Sequence, residues 1–319
     1  MSGARVLVTG GSGFLGSHVA AALVAHPGVE LVVAGDVRRP ALAVEGVVYD
    51  DCDVTRADGL APLLRRHGID VVVHLAAIVS PGRDHALEYR VDVDGSRHVL
   101  EACVEAGVRR VVVSSSGAAY GYHADSPEWL RETDRIRGND EFPYSKHKRL
   151  VEEMLASYRA SHPSLEQVVF RIGTILGPTV RNQITALWDG RRILAIRGSD
   201  SPFVFVWVDD VAAAMARAAT DGPPGVYNVA GDGRLTVHAI AARLGKPVLT
   251  LSPGLLAFAL RIGRMLRLTV HGPEQVGFLR YRPVLANESL KRDFGYAPAK
   301  TSAEAFEAYL ATHAGVARR

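Results

Sequence analysis

Between residues 4 and 173, six short β-branched runs are separated, all but once, by longer stretches of helical spacing. The runs are ARVLVT (4–9), ELVVAGD (30–36), GVVYDDCDV (46–54), DVVVHLAA (70–77), RRVVVSSS (109–116) and LEQVVFRIG (165–173). Helical stretches cover 14–26, 56–67, 85–106 and 143–161. The runs are continuously apolar rather than alternating, which marks strands covered on both faces. Strands of that kind interleaved with helices predict an α/β chain built on a doubly wound parallel sheet. After Gly177-Pro178 the pattern loosens. A helix over 207–219 and a strand over 225–231 should rejoin the sheet. The expected division is a sheet domain over 1–178, rejoined by about 206–231, with 179–319 mostly a smaller lobe.

Composition narrows the partners. The net charge of +3 comes from arginines scattered along the sequence, without the basic block of a nucleic-acid-binding arm. The two cysteines, Cys52 and Cys103, lie far apart in apolar contexts, so they read as buried thiols and not as a disulfide or a metal site. No metal is expected. The first residues run almost at once into RVLVTGG, so no signal peptide is expected, and no uncharged apolar stretch reaches membrane-spanning length. Cytoplasmic location without stable membrane association is the expectation.

The first run ends in VTGGSGFLGS, which places Gly10, Gly13 and Gly16 between a strand and a helix. Glycines allow a sharp turn and let a pyrophosphate approach the helix N-terminus, where free N–H groups and the helix dipole favour negative charge. Strand, glycines, helix is the context that gives the trio its meaning as a Rossmann dinucleotide cradle. Asp36 closes the second run about 20 residues later, where a carboxylate would hold an adenosine ribose. It favours NAD, because a 2′-phosphate would meet its charge. Arg38 and Arg39 beside it keep NADP open, since arginine is the usual phosphate partner.

FPYSKHKRL (142–150) sets Tyr144 and Lys148 one helical turn apart behind a helix-starting proline. Alone, that spacing fits an ordinary surface helix. VTGGSGFLG, Asp53-Val54, HLAA (74–77), SSSGAAYG (114–121) and YSKHK (144–148), in that order, resemble the extended short-chain dehydrogenase/reductase superfamily, NAD-dependent epimerase/dehydratase group. The resemblance covers residues 4 to about 231, and NESLKRDFGYAP (287–298) is similar to the family's closing segment. It implies a catalytic Ser116, with Ser115 the next choice, together with Tyr144 and Lys148. A phenol of ordinary pKa, ~10, is a poor base at neutral pH. A nearby ammonium favours the phenolate, and a serine hydroxyl orients the reacting oxygen. The resemblance also implies a cofactor site of Gly10, Gly13, Phe14, Leu15, Gly16, Asp36, Arg38, Asp53, Val54, Leu75, Ala76, Ala77 and Ser114, completed by Tyr144 and Lys148. Asp53 and Val54 would flank the adenine, and His74 would be packed. Substrate contacts are expected at Ser116, Gly117, Thr174, Phe203 and Arg282.

Departures from the family pattern bear on substrate. Thr174 in RIGTILG stands where nucleotide-sugar enzymes often have asparagine. In SPFVFVWVDDVA, Phe203 and Trp207 replace an arginine and a histidine. An aromatic ring does not replace a bidentate phosphate partner, although Arg181, Arg191, Arg192, Arg280 or Arg282 could supply the charge. Gly117-Ala118 follow the serine where sugar dehydratases carry Asp-Glu, which argues against elimination of water. Asp92 stands where the family often has asparagine. The stretch 253–270, apolar with Arg261, Arg264 and Arg267, reads as a basic amphipathic helix. It would roof the smaller lobe, cover the substrate or touch a membrane surface.

The expected activity is NAD(P)-dependent interconversion of a secondary alcohol and a ketone on a small, partly apolar substrate. A nucleotide-sugar epimerase with tightly bound NAD and a non-catalytic NAD(P)-sensing regulator are the alternatives. By analogy with the family, a homodimer is possible.

Overall fold

The computed structural model describes residues 3–79, 82, 84–269 and 271–313. The first half runs β1 (Ala4–Thr9), α1 (Phe14–Val24), β2 (Val29–Asp36), β3 (Val47–Asp51), α2 (Ala57–Arg66), β4 (Val71–His74), α3 (His85–Tyr89), a π-helical turn (Arg90–Asp94), α4 (Gly95–Ala106), β5 (Arg110–Ser116) and α5 (Pro143–Ser161). Then come β6 (Glu166–Ile172), β7 (Thr174–Leu176), β8 (Ile193–Ile196), β9 (Phe205–Trp207), α6 (Val208–Thr220), β10 (Gly225–Val229), α7 (Val237–Leu244), β11 (Val248–Leu251), α8 (Pro253–Met265), α9 (Gln275–Arg280), α10 (Glu288–Arg292) and α11 (Ser302–Thr312).

Seven parallel strands form the central sheet in the order β10-β6-β5-β4-β1-β2-β3. Successive residues of a strand point to opposite faces, and β1 shows why its run is apolar throughout. Val6 and Val8 join one core with Val19 and Leu23 of α1 and Val211 and Met215 of α6. Leu7 joins the other with Leu60 and Leu64 of α2, Val99 and Leu100 of α4, and Val151 and Leu155 of α5. Chain order reverses between β1 and β4, and the crevice beyond the carboxyl ends of such strands is the natural ligand site of an open α/β sheet. At that switch point Thr9 pairs with His74.

The expected helix over 85–106 is interrupted. Its π-helical turn places Asp92 and Val93 inward, and Gly95 packs so close to Val54 that a Cβ would lie 2.7 Å from Val54 Cγ2. The third strand stops at Asp51 because Asp53 turns the chain, accepting the Thr55 N–H at 2.9 Å and its hydroxyl at 2.7 Å. The fourth stops at His74, and Leu75–Ala77 leave the sheet as a loop. Two small parallel sheets, β11-β8 and β7-β9, surround an aromatic cluster of Trp188, Phe203, Phe205, Phe306 and Tyr309. α8 ends at Met265; Val270, the last residue of the expected amphipathic stretch, lies outside the described residues.

Candidate active site

The glycine turn after β1 is tight because its backbone crosses itself. A Cβ on Gly16 would lie 2.2 Å from Gly10 O, and one on Gly10, whose φ is +69°, would lie 2.9 Å from Ala76 N. Gly13 caps α1 without a side-chain bond, and a Cβ there would meet just Gly10 O, at 3.2 Å. Any side chain at Gly13 would project into the cradle. The first intrahelical bond runs from the Ser17 N–H to Gly13 O, so the N–H groups of Phe14, Leu15 and Gly16 precede it. No carboxylate lies in this first turn. The combination suits an anionic diphosphate. Asp36 is fixed beside it, accepting the Ser12 N–H and the Arg38 N–H at 3.1 Å each, while the Arg38 side chain is exposed.

The opposite wall is built by α5. Phe142 enters in extended geometry and Pro143 opens the helix. Ser145 anchors its first turn, donating to Ala118 O at 2.6 Å and accepting the Asn139 N–H at 3.1 Å. That bond fixes α5 to the turn following β5, and so fixes Tyr144 relative to Ser116. Lys148 Nζ lies 5.6 Å from the Tyr144 ring centre and donates to Ser114 O at 2.7 Å. Ser116 Oγ accepts the Ala118 N–H at 3.1 Å, which leaves its hydroxyl proton available to a ligand. Ser115 also lines the cavity, but its hydroxyl donates to Glu152, which pairs with Arg171, and is already used.

One cavity of about 980 Å³ connects these parts. Every site residue expected from the sequence lines it: the Gly10–Gly16 cradle with Phe14 and Leu15, Asp36 and Arg38, Asp53 and Val54, Leu75–Ala77, Ser114, Ser116, Gly117, Tyr144, Lys148, Thr174, Phe203 and Arg282. His74 lies behind the wall. It is buried between Thr9 Oγ1, 2.7 Å from Nδ1, and Ser96 Oγ, 3.0 Å from Nε2. Burial, reinforced by the Lys148 charge, pulls its pKa down to about 3, so it is neutral. Cys52 and Cys103 are buried, and burial pushes both thiols up to about 12.

The far end of the cavity is aromatic with one cation. The Arg282 guanidinium lies 3.9 Å from the Phe203 ring centre and 5.0 Å from that of Phe278. Its Nε and Nη1 are buried without a hydrogen-bond partner among the described residues. Burial pulls its pKa down to about 9, so it remains cationic at neutral pH. A guanidinium with two buried, unpaired nitrogens is costly unless a ligand completes it. Of the other candidate arginines, Arg181 lines the cavity at its exposed rim, whereas Arg191 and Arg192 face solvent.

Two features were not legible in the sequence. Tyr122 packs edge-on against Phe142 and Phe278, with ring centres 5.1 Å away from each, and presents a second phenol to the cavity near Tyr144. Burial raises its pKa, and Tyr144 adds to the effect. Asp92 joins the two walls: Oδ1 accepts the Ile78 N–H at 2.8 Å, and Oδ2 lies 2.9 Å from His147 Nδ1, with both side chains buried. The partners of Asp92 are 14 and 55 residues away in sequence, and no short motif announces such a bridge.

The family model described as "NAD dependent epimerase/dehydratase family" matches residues 6–230. An uncharacterised protein of Mycobacterium tuberculosis (strain ATCC 25618 / H37Rv) is 28% identical over 313 residues, spanning 96% of this chain and 83% of its own length. UDP-glucose 4-epimerase of Azospirillum brasilense is 35% identical over 180 residues, 54% of this chain and 49% of the relative. Among solved structures, UDP-glucose 4-epimerase of Thermotoga maritima with UDP-glucose superposes with a TM-score of 0.77 at 21% identity, covering 98% of this chain and 99% of that one, a likeness of fold. MoeE5 in complex with UDP-glucose and NAD superposes with a TM-score of 0.73 at 25% identity over the same shares of each chain.

Proposed function

Since the chain belongs to the NAD-dependent epimerase/dehydratase family, we propose that it binds NAD along the glycine cradle and interconverts a secondary alcohol and its ketone on a small substrate carrying an anionic group. One observation carries this reading: Tyr144, Lys148 and Ser116 line the same cavity as Gly10, Gly13, Gly16 and Asp36. NAD, when bound, supplies the acceptor or donor of hydride. The chain handles the proton. Tyr144 Oη takes it from the carbinol oxygen, or returns it to the carbonyl oxygen. Lys148 stabilises the phenolate form of Tyr144, the form that takes the proton in oxidation and is left behind once the proton is given up in reduction, and its bond to Ser114 O holds the ammonium in place. Ser116 donates its free hydroxyl hydrogen to the reacting oxygen and orients it. Residues 179–319, outside the part that rejoins the sheet, supply most of the substrate side. There Phe203 and Phe278 provide apolar contact and Arg282 the charge partner.

Arg282 also favours a second reading, in which a nucleoside diphosphate-sugar is epimerised through transient oxidation with no net turnover of cofactor. Its unpaired guanidinium offers the positive charge that Phe203 does not. Two assays separate the readings. Substrate-dependent change in nicotinamide absorbance with added NAD or NADH supports the alcohol–ketone reaction. Interconversion of UDP-hexoses without added nicotinamide supports the epimerase and ends the first reading. A wild-type chain that binds NAD yet shows neither activity would end both and leave a cofactor-sensing role.

A further inference from the structure

α8 is apolar on two sides. Leu256 is its one buried residue and faces inward. On the outward side Leu255, Phe258, Ile262 and Met265 follow at i, i+3, i+7 and i+10, one stripe of a 3.6-residue helix. Leu255, Phe258 and Met265, with Leu266 and Leu268 just beyond, are between 56% and 78% exposed. Among the described residues, two other large apolar side chains are as exposed, Val37 and Leu42, both far away in sequence. The helix end presents this surface outward. Arg267 adopts φ 58°, a conformation that favours glycine, and the Leu268 N–H donates to Gly263 O at 2.9 Å.

The same segment is cationic. From Ser252 to Thr269 it carries Arg261, Arg264 and Arg267 and no aspartate or glutamate. Arg264 pairs with Glu274 at 3.3 Å; Arg261 and Arg267 form no ion pair among the described residues. A two-fold contact between copies through this face would set arginines against arginines. A soluble protein partner would need both an apolar groove and carboxylates at its rim. An anionic bilayer supplies both at once: acyl chains for the stripe and phosphates for the arginines. α8 packs on α9, whose Phe278 lines the cavity, so the surface lies one helix away from the substrate end of the site.

We propose that this face docks the chain reversibly on anionic membrane surfaces, with α8 lying in the interface plane. Leu255, Phe258, Ile262 and Met265 enter the acyl boundary, and Arg261 and Arg267 meet lipid phosphates. No helix among the described residues is long and apolar enough to cross a membrane, so the contact is peripheral. The test is sedimentation of the full chain with vesicles of phosphatidylglycerol and phosphatidylcholine, against phosphatidylcholine alone, at 0.1 M salt. Binding should require phosphatidylglycerol. It should fall about 25-fold in Arg261→Gln/Arg267→Gln, roughly 5-fold per charge removed, and vanish in Leu255→Ser/Phe258→Ser. These four side chains are exposed, and unchanged melting temperatures establish that the variants fold. Light scattering on the same samples reports assembly. Wild-type protein that ignores anionic vesicles, variants that sediment like wild type, or a dimer dissolved by Phe258→Ser would each overturn the proposal.

Discussion

Replacing Arg282 by methionine should make the protein more stable and its ligand weaker, two effects of opposite sign from one change. Burial takes the guanidinium from 12.5 to about 9. At ~1.36 kcal/mol per pKa unit, that shift corresponds to about 5 kcal/mol if solvent played no part. Water in the cavity screens the charge, so the gain on removing it should be about 1–2 kcal/mol. Methionine keeps most of the length and can pack against Phe203 and Phe278, which now face the guanidinium. At roughly 2–4 °C per kcal/mol, the melting temperature should rise by a few degrees. Against this, an anionic ligand loses its charge partner. Truncating one member of a buried charge pair costs about 2–5 kcal/mol, or about 30- to 4,000-fold in affinity. Calorimetric melting and isothermal titration with UDP in the presence of NAD read both effects. A variant that melts below wild type and binds UDP equally well would refute the argument that the ligand completes this cation.

Four further outcomes are expected. Tyr144→Phe should lower kcat by about 10²- to 10⁴-fold, the range of general acid–base catalysis, with NAD affinity, titrated by fluorescence, little changed. Asp36→Ala should weaken NAD by about 10- to 100-fold, the worth of a hydrogen bond to a charged group, and leave NADP less affected; a wild-type preference for NADPH would show Arg38 outweighing Asp36. His74, held neutral down to about pH 3, refuses a proton that the unfolded chain accepts below 6.5. Unfolding free energy should therefore fall by up to about 1.4 kcal/mol per pH unit as pH drops from 6.5 toward 3, and urea titrations of His74→Gln should lack that component. Asp92→Ala should cost about 2–5 kcal/mol by leaving the His147 ring nitrogen and the Ile78 N–H buried without a partner, each worth about 1–3 kcal/mol, while Asp92→Asn, which keeps an acceptor for Ile78, should cost much less by urea titration.

The sheet and the cradle were legible because local chemistry decides them. Val6 to Val8 must be covered on both sides, and no other residue tolerates the contact that a Cβ at Gly16 would make. The choice within Ser114-Ser115-Ser116 was nearly legible too, since alternation along β5 separates Ser115 from its neighbours. The structure adds the reason, a Glu152 carboxylate waiting for Ser115. The interruption of the 85–106 helix was not legible, because Arg90–Asp94 contain neither glycine nor proline and the turn serves Asp92 contacts made by distant segments. Nor could periodicity say which stripe of α8 faces inward, since both are apolar. Arg282 was expected among the substrate contacts, but four other arginines could have supplied the charge, and only its packing over Phe203, far from it in sequence, gives the reason for choosing it.

A crystal structure of the chain with NAD tests the central claim most directly. The pyrophosphate should lie against the N-terminus of α1, with the nicotinamide ribose within reach of Lys148 Nζ and the Tyr144 hydroxyl facing the nicotinamide ring. A dinucleotide bound elsewhere, or one whose nicotinamide lies away from Tyr144, Lys148 and Ser116, would contradict it.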